Sequence, residues 1–362
     1  MDSRDFPLSS KTKQAILNTI FDVKPQPDNF DELYSDSYFC YYRKVVENSR
    51  AQRTTKTHRD IANLVGLLKR PDATRSSVES TLRKQLLSEA GDSDEIPEDS
   101  VNLAVRLLLM VSTGGFLTYG HSITLSRETK LSWKDGTIKD LVNTQIAPQI
   151  MMRECVKLEK IFNARNLERI AGIEIRWTSN LADHLRMRDD DAAVEVFHYA
   201  SFLRFHQNCH IPLPDWQVIA LRAQTCSILP PALIDETIRT LALLLPEHDR
   251  DTEIWFGKQQ AKLQKRRKLP LDPLARECGQ LKVEERQIGN FEYWHDRLVI
   301  LKQVFDEAEP SNIQQWWCDR RKRVQWYTFW VAAIILTLTI IFGSIQCVEG
   351  ALQVWLAFLA RP

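Results

Sequence analysis

The densest group of potential metal ligands in the sequence consists of three histidines and one cysteine, His198, His206, Cys209 and His210. His206 and His210 are four residues apart, so on a helix their imidazoles share one face, as a zinc site requires, and the Cys209 thiolate can add a ligand. No glutamate lies between the two histidines, so the HExxH pattern of zinc hydrolases is absent. These residues predict either a zinc site or a loop of ordinary histidines. The loop is favoured, so no cofactor is expected.

A second group of chemically active side chains begins at Asp183 and His184 and continues through Asp189, Asp190 and Asp191. Carboxylates beside an imidazole suit acid–base chemistry, and clustered carboxylates suit magnesium. Neighbouring residues on a helix point apart, however, and an acidic run is typical of a solvated helix end or turn. The segment is therefore interpreted as a short helix that ends in solvated acidic residues.

Other catalytic signatures do not occur in the sequence. GxSxG, HRD with DFG, GxGxxG and GxxxxGK are all missing. The seven cysteines are scattered without a CxxC pair, which indicates free thiols and not a metal or redox motif. Lys and Arg total 48 against 47 Asp and Glu, so no overall positive field attracts nucleic acid, and no nucleic-acid partner is expected. A non-catalytic protein is favoured.

The elements that must position these residues read mainly as helices. Apolar residues recur at spacings of three and four in HRDIANLVGLLK and FEYWHDRLVILKQVF, which is typical of amphipathic helices with one buried stripe. Val101–Val111 is apolar nearly all round, but it contains Arg106 and is short, so it is predicted to be a buried core helix and not a membrane span. The fold class is therefore mainly α.

Short strands are predicted at two places. GIEIRW alternates, with Ile173, Ile175 and Trp177 on one face. ITLSRETKLSW also alternates and leads to Asp135 and Gly136, which favours a small hairpin. The periodicity of AAVEVFHYASFLRF fits a helix and a strand equally well.

The organising stretch is the C-terminal one. The 25 residues from Val324 to Val348 contain no charged side chain, which is enough for a transmembrane helix. Aromatic residues that prefer the headgroup region flank it, namely Trp326, Tyr327, Trp330 and Trp355. The competing interpretation is a buried helix of a soluble core. The apolar segment from Gly350 to Ala360 is too short for a second span and is expected to lie in the far interface or to prolong the helix.

Orientation follows from a basic collar of four residues that precede the span, Arg320, Arg321, Lys322 and Arg323. Positively charged flanks stay on the cytosolic side, so the N-terminus is predicted to be cytosolic. The first residues contain no apolar segment of a signal peptide, so a tail-anchored protein is expected. The collar has a second interpretation as a binding site for anionic lipid. An endoplasmic reticulum or another endomembrane location is favoured.

These observations divide the chain into five parts. They are a polar helical N-terminal region (1–100), a helical cytosolic core domain (101–310), a juxtamembrane helix with the collar (311–323), a transmembrane helix (324–348) and a short far-side tail (349–362).

The segment WWCDRRKRVQWYTFWVAAIILTLTIIFGSIQCVEGALQVWLA resembles the C-terminus of a widespread group of uncharacterised tail-anchored single-pass membrane proteins of filamentous ascomycete fungi. The resemblance covers about the last 45 residues and is weaker over IEIRWTSNLADHL and ALIDETIRTLALLLP. It implies a fungal membrane protein with a mainly helical cytosolic body, and it assigns no activity or catalytic residue to this chain.

The favoured hypothesis is a non-catalytic, membrane-anchored protein whose partners are the lipid bilayer and other proteins. The alternative is a membrane-tethered enzyme or metal-binding protein that uses His198, His206, Cys209 and His210.

Overall fold

The protein was analysed as a computed structural model that describes residues 8–22, 32–48, 57–89, 97–114, 128–149, 156–208, 228–308 and 323–359. Helices dominate these residues and the strands are short, so the predicted mainly α fold class is confirmed.

The described helices are α1 (Ser10–Phe21), α2 (Glu32–Asn48), α3 (His58–Leu68), α4 (Arg75–Glu89), α5 (Pro97–Leu109), α6 (Ile138–Gln145), α7 (Ala164–Arg169), α8 (Ala200–Asn208), α9 (Pro231–Leu244), α10 (Arg250–Lys265), α11 (His295–Glu307) and α12 (Arg323–Leu359). The described strands are β1 (Ser112–Thr113), β2 (Lys130–Leu131), β3 (Glu174–Thr178), β4 (Arg186–Arg188) and β5 (Ala193–Phe197). Leu181–Asp183 and Pro273–Arg276 form 3₁₀ turns.

The chain divides into two compact units. The described residues up to Glu168 and from Ile173 to Asp306 form the first unit, which we call the body. Arg169–Gly172 and the residues from Glu307 onward form the second. Helices α1 to α4, from the predicted N-terminal region, thus belong to the same unit as α5 and the sheet.

Helix α5 forms much of the core of the body. It packs against α2, α3 and α4, and its apolar residues are buried, as its nearly continuous hydrophobic sequence predicts. Two buried tyrosines of α2 also form hydrogen bonds with the C-terminal end of α5. The hydroxyl of Tyr38 donates to the Leu107 carbonyl at 2.8 Å, and that of Tyr41 donates to the Arg106 carbonyl at 3.1 Å. Carbonyls in the last turn of a helix lack intrahelical partners, so the Tyr38 bond satisfies a group that the helix leaves open at Leu107. The Arg106 carbonyl also accepts from the Met110 N–H at 3.1 Å, so the Tyr41 bond is a second one at that oxygen.

A three-stranded sheet follows in the order β3-β5-β4, with β3 parallel and β4 antiparallel to β5. The strand predicted at Ile173 to Trp177 is confirmed as β3. The stretch AAVEVFHYASFLRF, whose periodicity fits a helix and a strand equally well, contains one of each. Strand β5 ends at Phe197, and helix α8 begins at Ala200. All residues of β5 are buried, as expected for a central strand that is covered on both faces.

The prediction of a short helix from Asn180 to Asp191 is wrong. Leu181–Asp183 forms a single 3₁₀ turn, and the chain then enters β4. Asp189, Asp190 and Asp191 make the turn from β4 to β5, with φ values of 54, 51 and 65°. Aspartate adopts this left-handed region more readily than most residues. Of the helix end and the turn that the acidic run predicts, the structure therefore has the turn, and only the helix before it is wrong.

The predicted hairpin around residues 123–136 lies partly outside the described residues. Its described part, β2, pairs in parallel with β1.

Candidate functional site

Helix α12 is the feature with the clearest functional meaning. Its segment Trp326–Leu356 has 31 residues and is long and apolar enough to cross a membrane. The most apolar part of this segment is not buried against the rest of the described structure. Large apolar side chains such as Ile334 and Phe342 are about 60% exposed. A core helix of a soluble protein would bury these side chains. The helix therefore agrees with the predicted span and not with the alternative of a buried core helix.

The hydroxyl groups within α12 suit an apolar surrounding. Thr337, Thr339 and Ser344 donate to the carbonyls of Ala333, Ile335 and Ile340, each at 2.8 Å. Each hydroxyl thus has a partner four residues earlier in the same helix. The hydroxyls are therefore satisfied without water. In the hydrocarbon of a membrane, every polar group must be satisfied within the protein in this way.

Aromatic residues lie near both ends of the span. The rings of Trp326 and Tyr327 meet edge to face at 5.1 Å between centroids, and Trp355 is 68% exposed near the other end. Trp326 and Trp355 are separated by 355 − 326 = 29 residues, or about 44 Å along the helix axis. A bilayer with its headgroup regions is about 40–45 Å thick, so the two tryptophans have the spacing of two interfaces.

The helix continues unbroken past Glu349 to Leu359. Of the two expectations for the tail, this supports the one in which it prolongs the helix. The juxtamembrane residues 311–322, including Arg320, Arg321 and Lys322, lie outside the described residues. Arg323 is the first residue of α12. The collar, as a topology signal and as a lipid site, stays a prediction.

His198 is buried in the body and is bonded to the backbone. Its Nδ1 accepts a hydrogen bond from the Asp272 N–H at 3.2 Å, and its ring stacks on Tyr199 with 4.1 Å between centroids. The Asp272 carboxylate in turn accepts from the N–H groups of Ser201 at 2.7 Å and Leu274 at 3.1 Å. Burial lowers the pKa of His198 to about 3 and raises that of Asp272 to about 6. The geometry shows a structural connection between α8 and the 3₁₀ turn at Pro273.

His206 is also buried, on α8. Its Nε2 lies 3.1 Å from the Leu108 carbonyl oxygen, to which it donates, and its ring packs on Phe21 and Phe202. Metal binding through Nε2 would break this bond. Cys209 and His210 lie outside the described residues, and the described residues contain no group of three potential metal ligands. The zinc site thus stays a prediction that the structure does not assemble from His198 and His206.

The densest polar site in the described body surrounds Asp183, which is fully buried. Its carboxylate accepts from the backbone N–H of Thr129 at 3.0 Å, from the Thr129 hydroxyl, from the Asn180 amide at 2.7 Å and from Arg188 Nη2 at 3.1 Å. The same Nη2 donates to Glu195 at 3.1 Å. We call Asp183, Thr129, Asn180, Arg188 and Glu195 the Asp183 network.

The chemistry of the Asp183 network is limited by its saturation. A carboxylate offers about four lone-pair sites, and four donor groups occupy those of Asp183. It cannot take a metal or a substrate proton without losing one of these bonds. Glu195 is buried beside it, and burial, together with the nearby Asp183 charge, raises the pKa of Glu195. The expectation of a solvated acidic segment is wrong at Asp183, whose role is to connect β2, β4 and β5.

His184, next to Asp183, points to a different part of the core. Its Nδ1 accepts from the Phe197 N–H at 3.1 Å, and its Nε2 lies 2.7 Å from the Thr240 hydroxyl. That hydroxyl donates to the Thr237 carbonyl, so Nε2–H donates to it. Burial, with repulsion from Arg297, lowers the pKa of His184 to about 3. The two neighbouring side chains thus do not act as an acid–base pair.

Arg186 adjoins the Asp183 network, because its Nη1 donates to the Thr129 hydroxyl at 2.5 Å and lies 3.9 Å from Asp183. Sequence reasoning did not identify Arg186, Arg188 or Glu195 as part of a site. The signal was present, because Arg186 and Arg188 have the spacing of one face of a strand, and Glu195 follows in a second strand. Only the antiparallel pairing of β4 with β5 brings them together, and that pairing was hidden by the helical interpretation of the acidic run.

A cleft of about 190 Å³ lies on the body between α9, the start of α10 and the residues around Phe162. Its apolar lining includes Phe162, Leu243 and Leu281, and its polar lining includes Lys160 and His248. Small-molecule sites usually have volumes of 300–1,000 Å³. The cleft is smaller than this range.

No protein family model, no curated protein and no solved structure matches this chain.

Proposed function

We propose that this chain is a single-pass membrane protein, anchored by α12, whose body faces the cytosol and binds other proteins at a membrane surface. The observation that carries the proposal is α12, an exposed apolar helix with aromatic residues at a spacing of two interfaces. The basic residues before the helix favour the cytosolic orientation of the body. An endomembrane is the favoured location.

The interaction role is supported by the cleft. Its buried apolar lining is surrounded by polar and charged side chains, an arrangement typical of the small pockets that accept an anchor residue from a partner. The saturated Asp183 network and the backbone bonds of His198 and His206 give an enzymatic role less support. The alternative of a membrane-tethered zinc protein stays testable by metal analysis of the purified full chain, where stoichiometric zinc would favour it.

Photocrosslinking in native membranes tests the interaction role. A photoreactive residue at exposed His248, beside the cleft, is expected to give a defined crosslinked product, whereas the same residue at exposed Lys84 on α4 is not. Gln280→Trp places a large side chain over the cleft from an exposed position, so we expect it to abolish the product, while Lys84→Trp leaves it intact. A product that forms equally in the presence of Gln280→Trp would contradict binding through the cleft.

A further inference from the structure

The C-terminal end of α10 carries a concentrated positive charge. Lys258, Lys262, Lys265, Arg266, Arg267 and Lys268 are all exposed, and no acidic residue occurs between Glu253 and Asp272. We call these six residues the basic helix end. The formal net charge of the whole chain is only +1, so the basic helix end is a strong local exception on a nearly neutral molecule.

Helix α10 holds these cations on a rigid element. Its opposite face contains the buried Phe256 and Gln259, and the Glu168 carboxylate binds Trp255 Nε1 at 2.5 Å and Gln259 Nε2 at 3.0 Å. Lys258, Lys262 and Lys265 are spaced by four and three residues, so they share the outer face of the helix. Ile254, four residues before Lys258, continues the same face and is 51% exposed. The outer face is therefore a cationic stripe that begins with an exposed apolar residue.

The helix itself does not require this amount of charge. Cations in the last turn favour the helix dipole by about 0.3–1 kcal/mol each, but Arg266, Arg267 and Lys268 lie beyond the last residue of α10. Arg267 also has a φ of 51°, where glycine is usually preferred and another residue costs about 1–2 kcal/mol. Among the described residues, no carboxylate pairs with any of the six cations. The charges are thus available to a ligand outside the body.

The covalent chain keeps a large anionic surface within reach. Glu307 ends α11 and Arg323 begins α12, so 323 − 307 = 16 residue steps separate them. Even a fully extended chain of this length spans at most about 55 Å. Because the body and α12 belong to one chain, binding of the body to the bilayer surface is intramolecular and loses less translational freedom than binding of a free protein.

We infer that the basic helix end docks on the anionic lipid surface of the membrane in which α12 is inserted. Each Lys or Arg near an anionic leaflet contributes about 1 kcal/mol, and the attraction decays within a Debye length of about 8 Å at physiological salt. Several cations on one rigid face can lie within that distance at the same time, with Ile254 entering the headgroup region. The inference rests on the proposed anchoring and cytosolic orientation.

Lysine footprinting of the reconstituted full chain tests this docking. The protein is placed in vesicles of phosphatidylcholine alone or with phosphatidylserine, and a membrane-impermeant acetylating reagent labels outward-facing molecules. With phosphatidylserine we expect labelling of Lys258, Lys262 and Lys265 to slow by at least about fivefold, and high salt to reverse the effect. Lys84, exposed on α4, should label equally in both vesicles.

A charge-matched pair of variants completes the test. K258Q/K262Q/K265Q is expected to remove the phosphatidylserine-dependent protection of Lys268, whereas K44Q/R83Q/K84Q, at exposed sites on α2 and α4, retains it. Equal labelling in both lipids, or protection by soluble polyphosphate but not by vesicles, would overturn the docking. Flotation of the same vesicles separates the two claims: protein that floats without protection overturns only the docking, and protein that does not float overturns the anchor.

Discussion

At the scale of single residues, the buried histidines show which local signals are unreliable. The spacing of His198, His206, Cys209 and His210 suggested ligands because spacing is all that a sequence displays. The partners of the two described members are Asp272, 74 residues away, and Leu108, 98 residues away. Such contacts form only when distant elements pack, so neither the burial of these rings nor their backbone bonds follows from local periodicity.

His184 predicts a specific dependence of stability on pH. Its pKa is lowered to about 3 in the folded chain, against about 6.5 when exposed, so the unfolded state binds the proton first. The contribution of His184 to the free energy of unfolding is complete above about pH 6.5. It is lost as the pH falls toward 3, by about 1.4 kcal/mol per pH unit. In His184→Asn, we expect the fall in unfolding free energy between pH 6 and 4 to be less steep by about this amount. Urea unfolding of the full chain in detergent measures the slope, and His248→Asn, at an exposed histidine, is the control.

The histidine prediction is contradicted if His184→Asn and the original chain give the same slope. Asp272 affects the pH dependence of stability in the opposite direction. Its pKa is raised to about 6, so its contribution to the free energy of unfolding falls as the pH rises from about 4 to 6. It is unchanged in the variant, so the comparison isolates His184.

Asp183 predicts a large stability loss from a minimal change. Asp183→Asn removes the charge that Arg188 contacts at 3.1 Å and turns an amide group toward the donors of Thr129 or Asn180. Breaking a buried ion pair from one side costs roughly 3–5 kcal/mol, and we expect about 3 kcal/mol because Arg188 is 20% exposed. Asp190→Asn is the matched control in the adjoining turn, where an exposed residue should change the unfolding free energy by less than about 0.5 kcal/mol. Similar losses in both variants would contradict the structural role of Asp183.

At the scale of elements, sequence reasoning succeeded where one strong pattern governed a segment. The continuous apolar sequence of α5 predicts a buried helix and the alternation of β3 predicts a strand, and both are confirmed. The uncharged length of α12 predicts one long apolar helix, which the structure also contains. It failed in the segment Asn180–Asp191. There the acidic run has two physical uses, as a solvated helix end or as a left-handed turn, and pairing of β4 with β5 selects the turn.

Helix α12 predicts that charge within the span prevents anchoring. Leu336→Arg with Ile340→Arg places two arginines one turn apart near the middle of the apolar segment, each at a cost of about 2.5–3.5 kcal/mol for insertion. We expect the variant to be extracted from membranes by alkaline carbonate, while the alanine pair at the same positions stays in the pellet. Retention of the arginine variant would contradict a role for these residues in the hydrocarbon core.

At the scale of the whole molecule, the sequence specified a mainly helical body and an apolar helix long enough to span a membrane, but no specific activity. Both conclusions depend on composition and periodicity, which each segment displays by itself. The Asp183 network, the cleft and the rigid basic helix end depend on which elements meet. Thr129 and Asp183, for example, are 54 residues apart, and no local rule pairs them.

The central claim is that α12 crosses a membrane and leaves the body on the cytosolic side. Its most direct test attaches a flexible tag with an N-glycosylation acceptor site to the N-terminus or to the C-terminus of the full chain, each expressed in cells with an endoplasmic reticulum. Glycosylation occurs only in the lumen, so we predict a modified C-terminal tag and an unmodified N-terminal tag. A glycosylated N-terminal tag would contradict the orientation. Two unmodified tags on protein that carbonate extracts from membranes would contradict the anchor itself.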